Sequence, residues 1–146
     1  MATDKINELL YIALTTKEIQ YAFKRYVGNL NMDVPVESLG ILLVVYYSSS
    51  LDVIQQDIAE IIKKDKSVVL RQIDNLEKEN LVQRIVDSND KRRNIIKITN
   101  KGIKLINEVN AKLNEMYAFL TEGLDVSEME IFYKVLNHLR NRAKIK

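Results

Sequence analysis

Apolar residues recur at helical spacing through the first thirty positions, at Ile6, Leu9, Leu10 and Ala13, then at Ile19, Ala22, Phe23 and Tyr26. That spacing predicts a helix from Asp4 to about Leu30, with Asp4 or Thr3 as its cap. Gly28-Asn29 and the run Asn31-Met32-Asp33-Val34-Pro35 break it. From Glu37 to Tyr46 the chain is apolar nearly all round, which predicts a second helix central to the core. Ser48-Ser49-Ser50 is a turn. A third helix is predicted from Gln55 to Lys63, burying Ile58, Ala59 and Ile62, with Asp52 placed to cap it in a D-x-x-Q box. After Lys64-Asp65-Lys66, a fourth helix from Ser67 to Glu79 carries Val69, Ile73 and Leu76 at i, i+4 and i+7. Asn80 suits the left-handed residue after its end.

The period then changes from helical to alternating. LVQRIVD (Leu81–Asp87) and NIIKIT (Asn94–Thr99) read as two strands joined by SNDKRR, a hairpin with a long loop. Thr99 can cap a long helix starting at Asn100, in which Ile106, Val109, Leu113, Met116 and Leu120 step as a coiled-coil-like seam. Gly123 ends it, and Ser127 or Asp125 caps a last helix with Phe132, Leu136 and Leu139 on one face. The predicted class is mainly α with a small β-hairpin. Two short helices in tight succession and then a hairpin form a winged helix-turn-helix, flanked by helices suited to dimerisation.

Composition narrows the function by exclusion. At 146 residues the chain fits one domain, and with no cysteine it offers neither disulfides nor thiolate metal sites. The start, MATDKINELL, lacks a basic region followed by an apolar one, and the apolar run Leu39–Tyr47 is too short to span a bilayer. A cytoplasmic protein without membrane association is therefore expected. The single histidine, His138, has no ligand partner at fitting spacing, and no Gly-rich phosphate loop or G-x-S-x-G elbow occurs. Asp87 and Asp90 lie on a hairpin without a pocket to raise either pKa. Neither catalysis nor a metal or cofactor is expected.

Charge points to a partner. The net charge is only +2, yet the segment from Lys63 to Lys104 holds twelve Lys and Arg against six Asp and Glu. A basic middle between acidic flanks predicts a localised anionic partner. In helix-turn-helix readers the second helix enters the major groove by its N-terminal residues. Here these are Ser67, Val68, Leu70 and Arg71, with Asn75 one turn on. The guanidinium of Arg71 matches guanine O6 and N7, and Val68 and Leu70 suit thymine methyls. Lys63, Lys64 and Lys66 are placed for phosphates, and Arg84 on the first strand is a further expected DNA contact. At the hairpin tip, Asp90 is expected to hold the Arg92 guanidinium, aiming it into a minor groove, while Lys91 and Arg93 hold flanking phosphates.

The same residues resemble the MarR-type (multiple antibiotic resistance regulator) winged-helix family, most densely over Gln55–Gly102. The family's aspartate-any-arginine wing pattern falls on Asp90-Lys91-Arg92. Its D-x-L-E helix end falls on Asp74-Asn75-Leu76-Glu77, and its T-x-x-G helix entry on Thr99-Asn100-Lys101-Gly102. The resemblance implies a homodimer on double-stranded DNA, commonly a repressor on a (pseudo)palindromic operator that a small aromatic ligand releases. It divides the chain into a DNA-binding lobe over residues 36–99 and a helical dimerisation region over 1–34 and 100–146. Ile6, Leu9, Leu10, Val109, Leu113, Met116, Leu120, Phe132, Leu136 and Leu139 are the expected dimer contacts, and Tyr26, Tyr46 and Tyr47 the expected ligand contacts. Leu70 replaces a common small hydroxylated residue, Ile54 a common threonine cap, Asn80 a common glycine, and Gln72 a usually apolar residue. The rival reading is a dimeric winged-helix module that binds protein and not DNA.

Overall fold

The computed structural model describes residues 7–49 and 51–144. Helix α1 (Glu8–Gly28) starts where the Asn7 side chain accepts the Leu9 amide at 2.9 Å. The expected caps, Thr3 and Asp4, and the expected dimer contact Ile6 lie outside the described residues. Pro35 leads into a single 3-10 turn, Val36–Ser38, before α2 (Leu39–Tyr47). The predicted start at Glu37 is therefore a tighter turn than an α-helix. Leu39, Ile41, Leu42 and Val45 of α2 are buried, as its all-apolar composition requires.

Helices α3 (Gln55–Ile62) and α4 (Lys66–Lys78) follow in tight succession. The cap of α3 differs from the expectation. Asp57, not Asp52, accepts the Ile54 amide at 3.0 Å. Asp52 instead pairs with Lys97 at 2.9 Å. The cause is local: Val53 accepts the Ile96 amide at 2.8 Å and Ile54 bridges Ile95, so this stretch runs extended along the hairpin and aims Asp52 at it. Helix α4 closes at Asn80, which adopts φ 57°, and the Leu81 amide returns to the Leu76 carbonyl at 2.8 Å.

Strands β1 (Val82–Val86) and β2 (Asn94–Ile98) pair antiparallel, with Val82 opposite Ile98, Arg84 opposite Ile96 and Val86 opposite Asn94. Thr99 then caps α5 (Asn100–Leu120): its hydroxyl accepts the Gly102 amide at 3.1 Å and donates to the Asn80 carbonyl at 2.7 Å. Gly102 is required by space. A Cβ there would stand 2.2 Å from the Leu81 carbonyl oxygen and 2.7 Å from Ile98 Cγ1. Gly123, at φ 85°, turns the chain into α6 (Val126–Ala143), which opens with a reciprocal Asp125–Glu128 capping box.

The main core joins Ile41, Leu42 and Val45 of α2 with Ile58, Val69, Ile73, Leu76, Val82, Ile96 and Ile106. A smaller cluster joins Val27, Leu39 and Val109. These clusters correct the dimer seam expected on α5. Val109 is fully buried against its own chain and Met116 is 6% exposed in the isolated chain, so neither side chain is free for a partner. Leu113 is half-buried, packed against the Val109 cluster. Only Leu120, the last position of the seam, is exposed. The chain forms two compact units that divide within α5, between Asn114 and Glu115. Among the described residues no helix is long and apolar enough to cross a membrane.

Candidate nucleic-acid interface

The tight α3–α4 connection is built from cations. Lys63 ends α3 in the left-handed region at φ 52°, and the Lys64 amide bonds back to the Ala59 carbonyl at 3.1 Å. Across the turn, the Gln55 side-chain amide donates to the Lys66 carbonyl at 3.2 Å, tying the start of α3 to the start of α4. Lys63, Lys64 and Lys66 are all exposed at this corner.

Helix α4 is two-faced. Val69, Ile73 and Leu76 are fully buried, which fixes its rotation about its own axis. The other face presents Ser67, Leu70, Arg71 and Asn75 to solvent, with Val68 half-buried. Gln72 sits between the faces, and its side-chain oxygen is buried without a hydrogen-bond partner. Among the described residues, the Arg71 guanidinium has no ion-pair partner. A free guanidinium on the exposed N-terminal half of such a helix is the group that can read a base edge.

Arg84 does not join this set. Its guanidinium pairs with Asp74 and Glu77 of α4, its backbone amide donates to Glu77 at 2.9 Å, and its side chain is only 21% exposed. Burial works against its charge, but the hydrogen bonds to Asp74 and Glu77 outweigh it and raise the guanidinium pKa above its ordinary value. Expected as a DNA contact, Arg84 instead forms an internal tie between β1 and α4.

The hairpin loop is ordered by its own aspartates, in a way that corrects a second expectation. Asp90 accepts the backbone amide of Arg92 at 3.0 Å, and its carbonyl accepts the Arg93 amide at 2.9 Å. It therefore sets the loop backbone and leaves the Arg92 guanidinium unheld. Asp87, almost completely buried, accepts the Asn89 amide at 2.8 Å and faces Arg93 Nε at 3.9 Å. Lys91, Arg92 and Arg93 remain exposed around this frame. Arg92 and Arg93 line a cleft of about 210 Å³ together with Gln55 and Gln56, so the hairpin meets the start of α3 there. The parts played by Asp74, Glu77 and Asp87 escaped sequence reasoning. For Asp87 a signal existed, since an aspartate two residues before an asparagine at a strand end forms an Asx turn.

The expected ligand tyrosines are only partly brought together. Tyr46 and Tyr47 meet edge to face with ring centroids 5.1 Å apart. Tyr46 is half-buried against the main core, whereas Tyr47 is 70% exposed and its hydroxyl donates to Asn110 at 3.5 Å. Tyr26 is half-buried on α1. None of the three lines the cleft above, or a cavity of about 220 Å³ between Met32, Leu81 and Leu105, or a third beside Asn80. Among the described residues, no three His, Cys, Asp or Glu side chains gather as metal ligands.

Helix, tight turn, outward-facing second helix and antiparallel hairpin define a winged helix-turn-helix protein. Residues 37–93 match the model of the MarR family. The fold is shared along nearly the whole chain. MepR of S. aureus, in a crystal structure of its DNA complex, is 23% identical with a TM-score of 0.79, over 97% of this chain and 99% of that one. Wild-type MarR from E. coli in its apo form is 18% identical with a TM-score of 0.77, over 93% and 98%. A further MarR crystal structure is 20% identical with a TM-score of 0.73, over 97% and 100%.

Proposed function

We propose that this protein is a sequence-specific, DNA-binding transcriptional regulator that acts as a homodimer. The observation that carries this reading is the exposed basic surface of the α3–α4 pair and of the hairpin. It presents Lys64, Lys66 and Arg71 on the helix pair and Lys91, Arg92 and Arg93 on the wing, while Arg84 neutralises the carboxylates of Asp74 and Glu77. In this reading α4 enters a major groove, with Ser67, Val68, Leu70, Arg71 and Asn75 toward the bases, and the wing places Arg92 in the adjacent minor groove. The lysines fix register on phosphates. A cytoplasmic location goes with this reading.

A homodimer is supported by large apolar side chains left exposed in one chain. Leu9 is 73% exposed and Leu10 about half exposed on α1, and Phe132, Leu136 and Leu139 are exposed on α6, which has no buried residue. Two copies would present two winged helices to half-sites one helical turn apart, about 34–36 Å. A dimer covering such a site represses by occluding it. Release by a small aromatic ligand rests on the Tyr46–Tyr47 pair, in which the exposed Tyr47 ring offers a stacking surface beside Asn110.

The test is a pair of variants measured on fragments selected from the source genome. Arg92→Ala is expected to weaken binding by about tenfold, the loss of one charge-assisted contact worth ~1.5 kcal/mol, with the oligomeric state unchanged. Arg71→Ala is expected to relax preference at one base step by ~1–3 kcal/mol while non-specific affinity changes little. If both variants bind like the parent chain, the surface has been wrongly assigned and a protein-binding module becomes the better reading.

A further inference from the structure

On α4, Gln72 lies at the border of the buried stripe. Val69, Ile73 and Leu76 are fully buried, and Gln72 beside them is half-buried, with its side-chain oxygen enclosed and without a hydrogen-bond partner. An enclosed amide oxygen that bonds to nothing destabilises a fold, because it gives up its hydration and gains no partner in exchange. A methionine of similar size fills the same space without that cost. Stability of the winged helix therefore does not account for a glutamine here.

Its position on the helix does. Gln72 stands four residues after Val68 and three before Asn75, the spacings at which side chains are neighbours on a helix surface. Val68 and Asn75 both belong to the set proposed to face the bases. Rotation about the side-chain bonds of Gln72 alone carries its amide from the border of the core to the outer face between these two. The turn breaks no hydrogen bond of the buried oxygen, since that oxygen makes none. An amide offers a donor and an acceptor side by side, the pattern that matches adenine N6 and N7 in a major groove.

We propose that Gln72 is a base-reading residue, withdrawn against the core in the free protein and turned outward onto an adenine in the complex. This rests on the DNA-binding reading above, and adds to it a determinant of specificity on the half-buried flank of α4.

Two variants, measured on the strongest selected genomic fragment and on its single-base-pair variants, test the assignment. Gln72→Met is expected to raise the urea midpoint, to leave affinity for a random duplex within about twofold, and to abolish about tenfold discrimination in favour of adenine at one step of each half-site. Gln72→Glu, which accepts hydrogen bonds but cannot donate them, is expected to move the preference at that same step toward cytosine, whose N4 amine donates. The structural alternative is an internal contact with Ser38, whose hydroxyl is also buried without a partner, in the 3-10 turn that packs on α4. In that case Gln72→Met and Ser38→Ala both lower the urea midpoint and every base preference stays as in the parent chain. Unaltered preference at every step in both Gln72 variants, with or without that loss of stability, overturns the base-reading role and leaves the DNA reading standing. A parent chain that binds selected and random duplexes alike fails the DNA reading itself, and the role of Gln72 falls with it.

Discussion

At position 102 the absence of a side chain is a structural requirement. The first turn of α5 crosses the end of β1 so closely that a methyl group would overlap the Leu81 carbonyl and Ile98. Gly102→Ala is expected to cost about 1–3 kcal/mol of stability through this overpacking, read as a lower urea midpoint. Lys63 shows the opposite compromise, a side chain kept where none is easy. Its left-handed backbone, φ 52°, costs an ordinary residue roughly 1–2 kcal/mol. Lys63→Gly is therefore expected to raise stability by up to about 1 kcal/mol, and to weaken DNA binding modestly at low salt through loss of a cation. Both outcomes together would show a cation retained at the expense of backbone ease. Individual roles such as these were the least legible part of the sequence. Asp52, Arg84 and Asp90 are visible in the sequence only as charged residues at the ends or middle of predicted elements. Which neighbour each one meets depends on how the 52–54 segment lies along the hairpin and on the turn of β1, and neither leaves a local pattern.

Whole elements were far more legible, because periodicity is written over many residues. All six helices and both strands stand within a few residues of where apolar spacing puts them, and Asn80, Thr99, Gly123 and Asp125 punctuate them as their chemistry predicts. The α5 seam was misread for a physical reason. A 3-4 apolar repeat says that a helix buries one stripe, not whether its own chain or a second copy covers it. Ile106 and Val109 are covered from within, by the winged helix and by α1 and α2. Helix α6 is different, since Phe132, Leu136 and Leu139 have no such cover. Light scattering at micromolar concentration is expected to give the mass of two chains, and Leu136→Asp to shift it toward one. A single-chain mass for the parent protein would contradict the dimer.

For the molecule as a whole, the small net charge conceals a division of labour. The cations gather between Lys63 and Lys104, and the structure converts that excess into a surface by pairing Asp74 and Glu77 internally and burying Asp87. Fold and basic segment were thus readable from the chain, whereas the internal pairing of Asp74 and Glu77 with Arg84 was not. If α4 reads the major groove as proposed, operator choice depends chiefly on Arg71 and the apolar Val68 and Leu70, and the preferred site should combine guanine with thymine methyls. The most direct test is the salt dependence of binding to selected genomic fragments. If the cations of the helix pair and wing in two copies meet phosphates, log affinity should fall linearly with log salt, with a slope of about −0.9 per phosphate contacted and a total of about −5 or steeper. A slope near zero, or affinity indifferent to DNA sequence at every salt concentration, would contradict sequence-specific DNA recognition by this surface.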